Sequence, residues 1–188
     1  MSQGARPSRL RLLAPLRYLS IKGPEKNRYD LVAPIMVGIG AWVVYMIVDP
    51  RPPLFGEGGL LRFARDLLVM AVPFMVGALA AVAMGAPGPH MDRRPVGAPL
   101  YLDGGLLTLR QFVCHLLGYL CFLGLVTLIG VVGAELGRDM VLAWTTEQLS
   151  LRAFIHGFGS LVLSLLLSFL TVTVFWALYF LSVIVNRP

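Results

Sequence analysis

Charge is what this chain has least of. Asp, Glu, Lys and Arg make up 14% of its 188 residues, while 57% are hydrophobic; an ordinary soluble domain is about 25% charged and about 45–50% apolar. Residues 31–48, 67–86 and 157–185 contain no Asp, Glu, Lys or Arg. Water could not solvate the outer faces of such stretches, which excludes a conventional soluble globule. The same gap argues against a proton-coupled transporter or a charge-relay enzyme, because those place an ionisable side chain deep within a span.

Cysteine is nearly absent as well. Cys114 and Cys121 are the only two, and on one helix seven residues separate them by about 10 Å, too far for a mutual disulfide. They read as small apolar packing residues. Chemistry-bearing motifs are missing too: there is no phosphate-cradling Gly-rich loop in a strand-to-helix context, no Gly-x-Ser-x-Gly elbow and no His-Glu-x-x-His. The "GFGS" at 157–160 opens an apolar run and is no nucleotide loop. Three histidines remain, His90, His115 and His156. His115 and His156 fall near opposite ends of the apolar layer and cannot share one metal or haem. His90 and Cys114 could approach His115, but no further ligands accompany them. No catalytic residue, metal ligand or cofactor is therefore assigned.

What is present is length without charge. Four apolar runs, about 31–48, 67–86, 111–134 and 157–185, each approach the ~20 residues needed to cross a bilayer. None alternates with period two, so strands are disfavoured. The expected fold is all-α: a polytopic membrane protein with four transmembrane helices in a bundle, residues 31–188, preceded by a basic segment, residues 1–30. The first run is followed by Asp49-Pro50-Arg51-Pro52-Pro53, not a small-residue cleavage site, and reads as a retained signal anchor.

Lys and Arg distribute unevenly about these spans. The N-terminal segment, the second connection and the tail together hold eleven, among them Arg9, Arg11, Arg17, Lys22, Lys26, Arg28, Arg93 and Arg94; the other two connections hold five, Arg51, Arg62, Arg65, Arg138 and Arg152. The positive-inside bias predicts both termini in the cytoplasm, with a bacterial inner membrane as the location. The eight named basic residues are candidate contacts for anionic lipid headgroups or a partner, and no direct nucleic-acid contact is expected. Within the N-terminal segment, "RLRLLAPLRYL" (9–19) suits a short interfacial helix. Gly23-Pro24 breaks it, and Asn27 or Asp30 is positioned to cap the first span. Asp49, Asp66 and Glu135 sit at span ends and read as interface-located caps.

Small and hydroxyl residues recur at helical spacing. Gly77, Ala81 and Gly85 form one row, Gly118, Gly130 and Gly133 line the third span, and Ser160, Ser164, Ser168 and Thr171 run down the fourth. Such rows let helices approach closely in lipid. They are expected to pack helices together or to form the seam of a homo-oligomer; the serine row is alternatively a polar pore lining. Phe175, Trp176, Tyr179 and Phe180 are expected in an interfacial aromatic belt. The connection 87–110, rich in Pro and Gly, reads as a surface linker with a hairpin-like turn at "PLYLDGG".

Three functions fit. The leading expectation is an oligomerising membrane subunit (sensor, scaffold or anchor) that recruits a cytoplasmic partner. The alternatives are a holin-like or defence-effector pore, and a lipid-acting enzyme or carrier using His90, Asp92, Arg93, Arg94 and Asp103.

Overall fold

A computed structural model describes residues 11–21, 28–85, 101–102, 105–145 and 149–184. Its helices are α1 (Ala33–Ile47), α2 (Leu60–Met84), α3 (Leu109–Leu136), α4 (Arg138–Thr145) and α5 (Leu149–Tyr179), and a 3-10 helix spans Arg11–Ser20. Short π-helical turns, Arg28–Val32 and Phe180–Ile184, lead into α1 and out of α5. Two antiparallel two-residue strands, β1 (Tyr101–Leu102) and β2 (Gly105–Leu106), make the small hairpin expected before the third span.

Four segments are long and apolar enough to cross a membrane: Arg28–Ile47, Leu60–Met84, Leu109–Leu136 and Ala153–Ser182. The expected runs lie within or close to all four. The second begins earlier than its apolar run, because Leu60–Asp66 is helical and continuous with it. Phe74, Met70 and Met84 are 80%, 77% and 85% exposed, an apolar surface that water would not tolerate over whole helices and a bilayer would.

The helix ends show why the elements stop where they do. Thr108 caps α3: its hydroxyl accepts from the Gln111 amide at 3.3 Å, and the Gln111 side chain accepts from the Thr108 amide at 3.1 Å. This reciprocal box satisfies two otherwise orphaned amides. The last carbonyls of α2 are met by the Arg110 guanidinium, which donates to Ala83 at 3.0 Å and to Gly85. Arg110 thereby ties the start of α3 to the end of α2 and complements the helix dipole.

The arrangement differs from a closed four-helix bundle. α1 packs along α5, α5 along α3, and α3 along α2, while α1 and α2 form no packed pair among the described residues. The helices thus stand in the order α1–α5–α3–α2. α3 is the central element, with 44% of its span buried against 11% for the first span and 17% for α2. Glycine explains two of the seams. A Cβ on Gly38 would lie 3.1 Å from the Leu165 backbone, and one on Gly124 would lie 3.1 Å from Val72. Only at such positions does the missing side chain let two helices touch.

Candidate functional site

The N-terminal 3-10 helix brings polar chemistry against the bundle. With three residues per turn, Pro15, Tyr18 and Ile21 follow one edge, and Tyr18 and Ile21 are buried at 0% and 3% exposure. The Tyr18 ring stacks on Tyr119 of α3 at 5.2 Å and tilts against Phe112 at 6.0 Å. Its hydroxyl donates to Asp30 Oδ1 at 2.9 Å. Burial, and then the nearby Asp30 carboxylate, push the Tyr18 hydroxyl far above its ordinary pKa. The segment is helical, as expected, but one edge is turned into the protein and does not rest wholly on the membrane surface. Asp30 correspondingly receives Tyr18, while the N-cap of α1 is Val32, with no side-chain cap; Asn27 lies outside the described residues.

Aromatic rings continue from this point. Phe112 meets Phe180 at 4.6 Å, Phe180 meets Trp176 at 4.9 Å, and Trp176 stacks between Tyr29 at 4.7 Å and Tyr179 at 5.6 Å. The expected belt is therefore split. Phe175 is exposed, whereas Phe180 is buried and helps seal the end of the α3–α5 seam.

The fourth-span hydroxyls sit differently from one another. Ser160 and Ser168 are buried, Ser164 is half-buried and Thr171 is exposed. Ser168 donates to the Pro34 carbonyl of α1 at 2.6 Å. The Gly157 carbonyl accepts both Ser160 Oγ at 3.0 Å and Trp42 Nε1 at 3.1 Å. Thr171 donates to its own helix, at the Leu167 carbonyl, at 2.8 Å. Ser168 thus joins α5 to α1, while Ser160 bonds within α5 at a carbonyl that Trp42 of α1 also uses; each buried hydroxyl has the acceptor it needs.

The glycine rows fall elsewhere. A Cβ on Gly77, Gly118, Gly130 or Gly133 would meet nothing within 4 Å, and one on Gly85 only carbonyls of its own helix. Ala81 is exposed beside Gly77 and Gly85. These residues do not bring helices of this chain together; Gly38 and Gly124 do.

At the far end, Arg65 of α2 pairs with Glu135 of α3 at 2.7 Å and with neighbouring Asp66 at 3.1 Å. Glu135 and Asp66 thus join an interhelical ion pair at the rim. Of the candidate lipid or partner contacts, Arg17 and Arg28 are exposed near the Tyr18 end. Arg11 begins the 3-10 helix. Arg9, Lys22, Lys26, Arg93 and Arg94 lie outside the described residues, as do His90, Asp92 and Asp103. His115 lies near the start of α3, and His156, edge-on to Phe55 at 6.1 Å, lies near the start of the oppositely running α5. Among the described residues no group of three or more His, Cys, Asp or Glu could hold a metal.

Spacing along the chain gives no signal for the Tyr18–Asp30 bond, the Trp42–Gly157 bond or the Arg110 cap, whereas the Thr108–Gln111 box has one, in the spacing of Thr-Leu-Arg-Gln. No protein-family model matches the chain, and no curated protein and no solved structure matches it either.

Proposed function

We propose that this chain is an oligomerising subunit of a cytoplasmic membrane, with both termini inside, acting as a sensor, scaffold or anchor. Its basic N-terminal segment meets anionic lipid and a cytoplasmic partner. One observation carries the proposal: Gly77, Ala81 and Gly85 form a small-residue row along α2 and its C-cap that no other helix among the described residues packs against. Small residues at four-residue spacing allow close helix approach in lipid, where packing and not hydrophobicity drives association. The pore reading gains no comparable support, since the Ser160 and Ser168 hydroxyls already have acceptors within the chain.

The test is the mass of the purified protein in detergent, by light scattering, for the natural chain and for Gly77→Ile combined with Ala81→Ile. The open space at Gly77 lets the larger side chain fit a single copy. An assembly for the natural chain and a monomer for the variant support the proposal. A natural chain that is monomeric and purifies with no other subunit refutes it.

A further inference from the structure

The N-terminal 3-10 helix carries two incompatible apolar edges. In its docked form the inward edge is Pro15, Tyr18 and Ile21, with Leu16 half-buried against the same core, while Arg17 and Ser20 are exposed and Leu19 is 52% exposed. Ten residues is long for a 3-10 helix, whose hydrogen bonds are poorer than those of an α-helix, and runs beyond three or four residues are uncommon. Wound instead as an α-helix, at about 100° per residue, the same stretch gathers Leu12, Leu16 and Leu19 on one face at i, i+4, i+7 spacing. Tyr18 then points roughly 130° away from that face and Ile21 nearly opposite to it. A helix beginning at Leu12 also places Pro15 within its first turn, where its missing N–H costs no bond. That second form is a surface-seeking amphipathic helix, leucines to lipid and Arg11 and Arg17 to the headgroups.

What the docked form covers is specific. Tyr18 lies against Phe112 and Tyr119 of α3, and Phe112 in turn meets Phe180 where the α3–α5 seam, the sparsest of the three helix seams, reaches its end. The hydroxyl bond to Asp30 joins the same segment to the entry of α1. Seven Lys or Arg stand among the first 30 residues, against two acidic residues, Glu25 and Asp30. A negatively charged surface would therefore draw the segment away from the bundle.

We infer that residues 11–21 form a strap that exchanges between two states: docked over the α3–α5 seam through Tyr18, and lying as an α-helix on an anionic bilayer surface. This rests on the membrane reading above and adds regulation to it: lipid charge sets whether the aromatic end of the seam is covered.

The experiment uses the full chain in nanodiscs, with Cys114→Ala and Cys121→Ala, and a reporter thiol introduced by Ile21→Cys. Ile21 is 3% exposed when docked and faces water in the α-helical form, so labelling by a water-soluble maleimide reads release. In discs of phosphatidylcholine alone labelling is slow. It accelerates about tenfold or more when 30% phosphatidylglycerol is included, or when Tyr18→Phe removes the hydroxyl bond but keeps the ring, as expected for loss of one hydrogen bond to a charged group. Equal rates in both lipid compositions overturn the strap. Because Ile21→Cys itself thins the docked edge, hydroxyl-radical footprinting of the unmodified chain gives the second reading. The Tyr18 ring, fully buried when docked, is oxidised faster in anionic discs if the strap lifts and equally in both if it does not. Incorporation into discs reports separately on membrane residence, so the two readings fail independently.

Discussion

Two glycines of α1 make the packing argument measurable. At Gly38 a Cβ would stand 2.9 Å from Leu165 Cδ2, 3.1 Å from Leu165 Cα and 3.3 Å from Ser168 Cβ. The Cδ2 methyl can rotate away, but the Cα belongs to the α5 backbone, so Gly38→Ala must push α1 and α5 apart. Overpacking of this kind costs about 1–3 kcal/mol. At Gly40, on the same helix, a Cβ meets nothing within 4 Å, so Gly40→Ala brings only the helix-propensity gain of about 0.5–1 kcal/mol. That gain applies to Gly38→Ala as well, so it cancels when the variants are compared. Gly40→Ala should be more stable than the natural chain and Gly38→Ala less stable, with a separation of about 1–3 kcal/mol. The assay is reversible unfolding by dodecyl sulfate in mixed micelles, followed by far-UV circular dichroism and by tryptophan fluorescence, since Trp42 spans the same seam to Gly157. If Gly38→Ala matches or exceeds Gly40→Ala, α1 and α5 do not approach as described and the helix order fails with them.

Ser168→Ala removes the 2.6 Å bond to the Pro34 carbonyl. It should lower stability in the same assay by about 0.6 kcal/mol, the average for interhelical hydrogen bonds in membranes, and by no more than about 1.7 kcal/mol, without changing ion leakage from proteoliposomes. Tyr18, raised by burial and by Asp30, should ionise only well above the ordinary tyrosine range. Its elevated folded pKa stabilises the docked state fully below the unfolded value of about 10 and loses that contribution as pH rises beyond it. Absorbance of tyrosinate at 295 nm should therefore show one late group whose ionisation coincides with exposure of the N-terminal segment; Tyr18→Phe should abolish that phase.

Much of the fold was legible because the relevant quantity is local. A run without charge, long enough at 1.5 Å per residue, has few alternatives to a long apolar helix, and all four runs fall in helices long and apolar enough to cross a membrane. The site was less legible. Spacing alone identifies a row such as Gly77, Ala81 and Gly85 or Ser160, Ser164 and Ser168, but not the direction in which it faces. The two rows look alike in the sequence. In the structure the α2 glycines face away from the other helices, whereas Ser160 and Ser168 turn inward beside α1. Gly38 and Gly124, which belong to no conspicuous row, occupy the tight contacts.

The sequence by itself determined the number of helices long and apolar enough to cross a membrane and their approximate ends, because hydropathy and turn residues act over a few neighbouring positions. The tertiary structure alone decided the order α1–α5–α3–α2, the burial of Tyr18 against Asp30 and the ion pair between Arg65 and Glu135. Those depend on which face of one helix meets which face of another. That choice is made by shape and hydrogen bonding between segments distant in the chain, and no periodicity within a single helix encodes it.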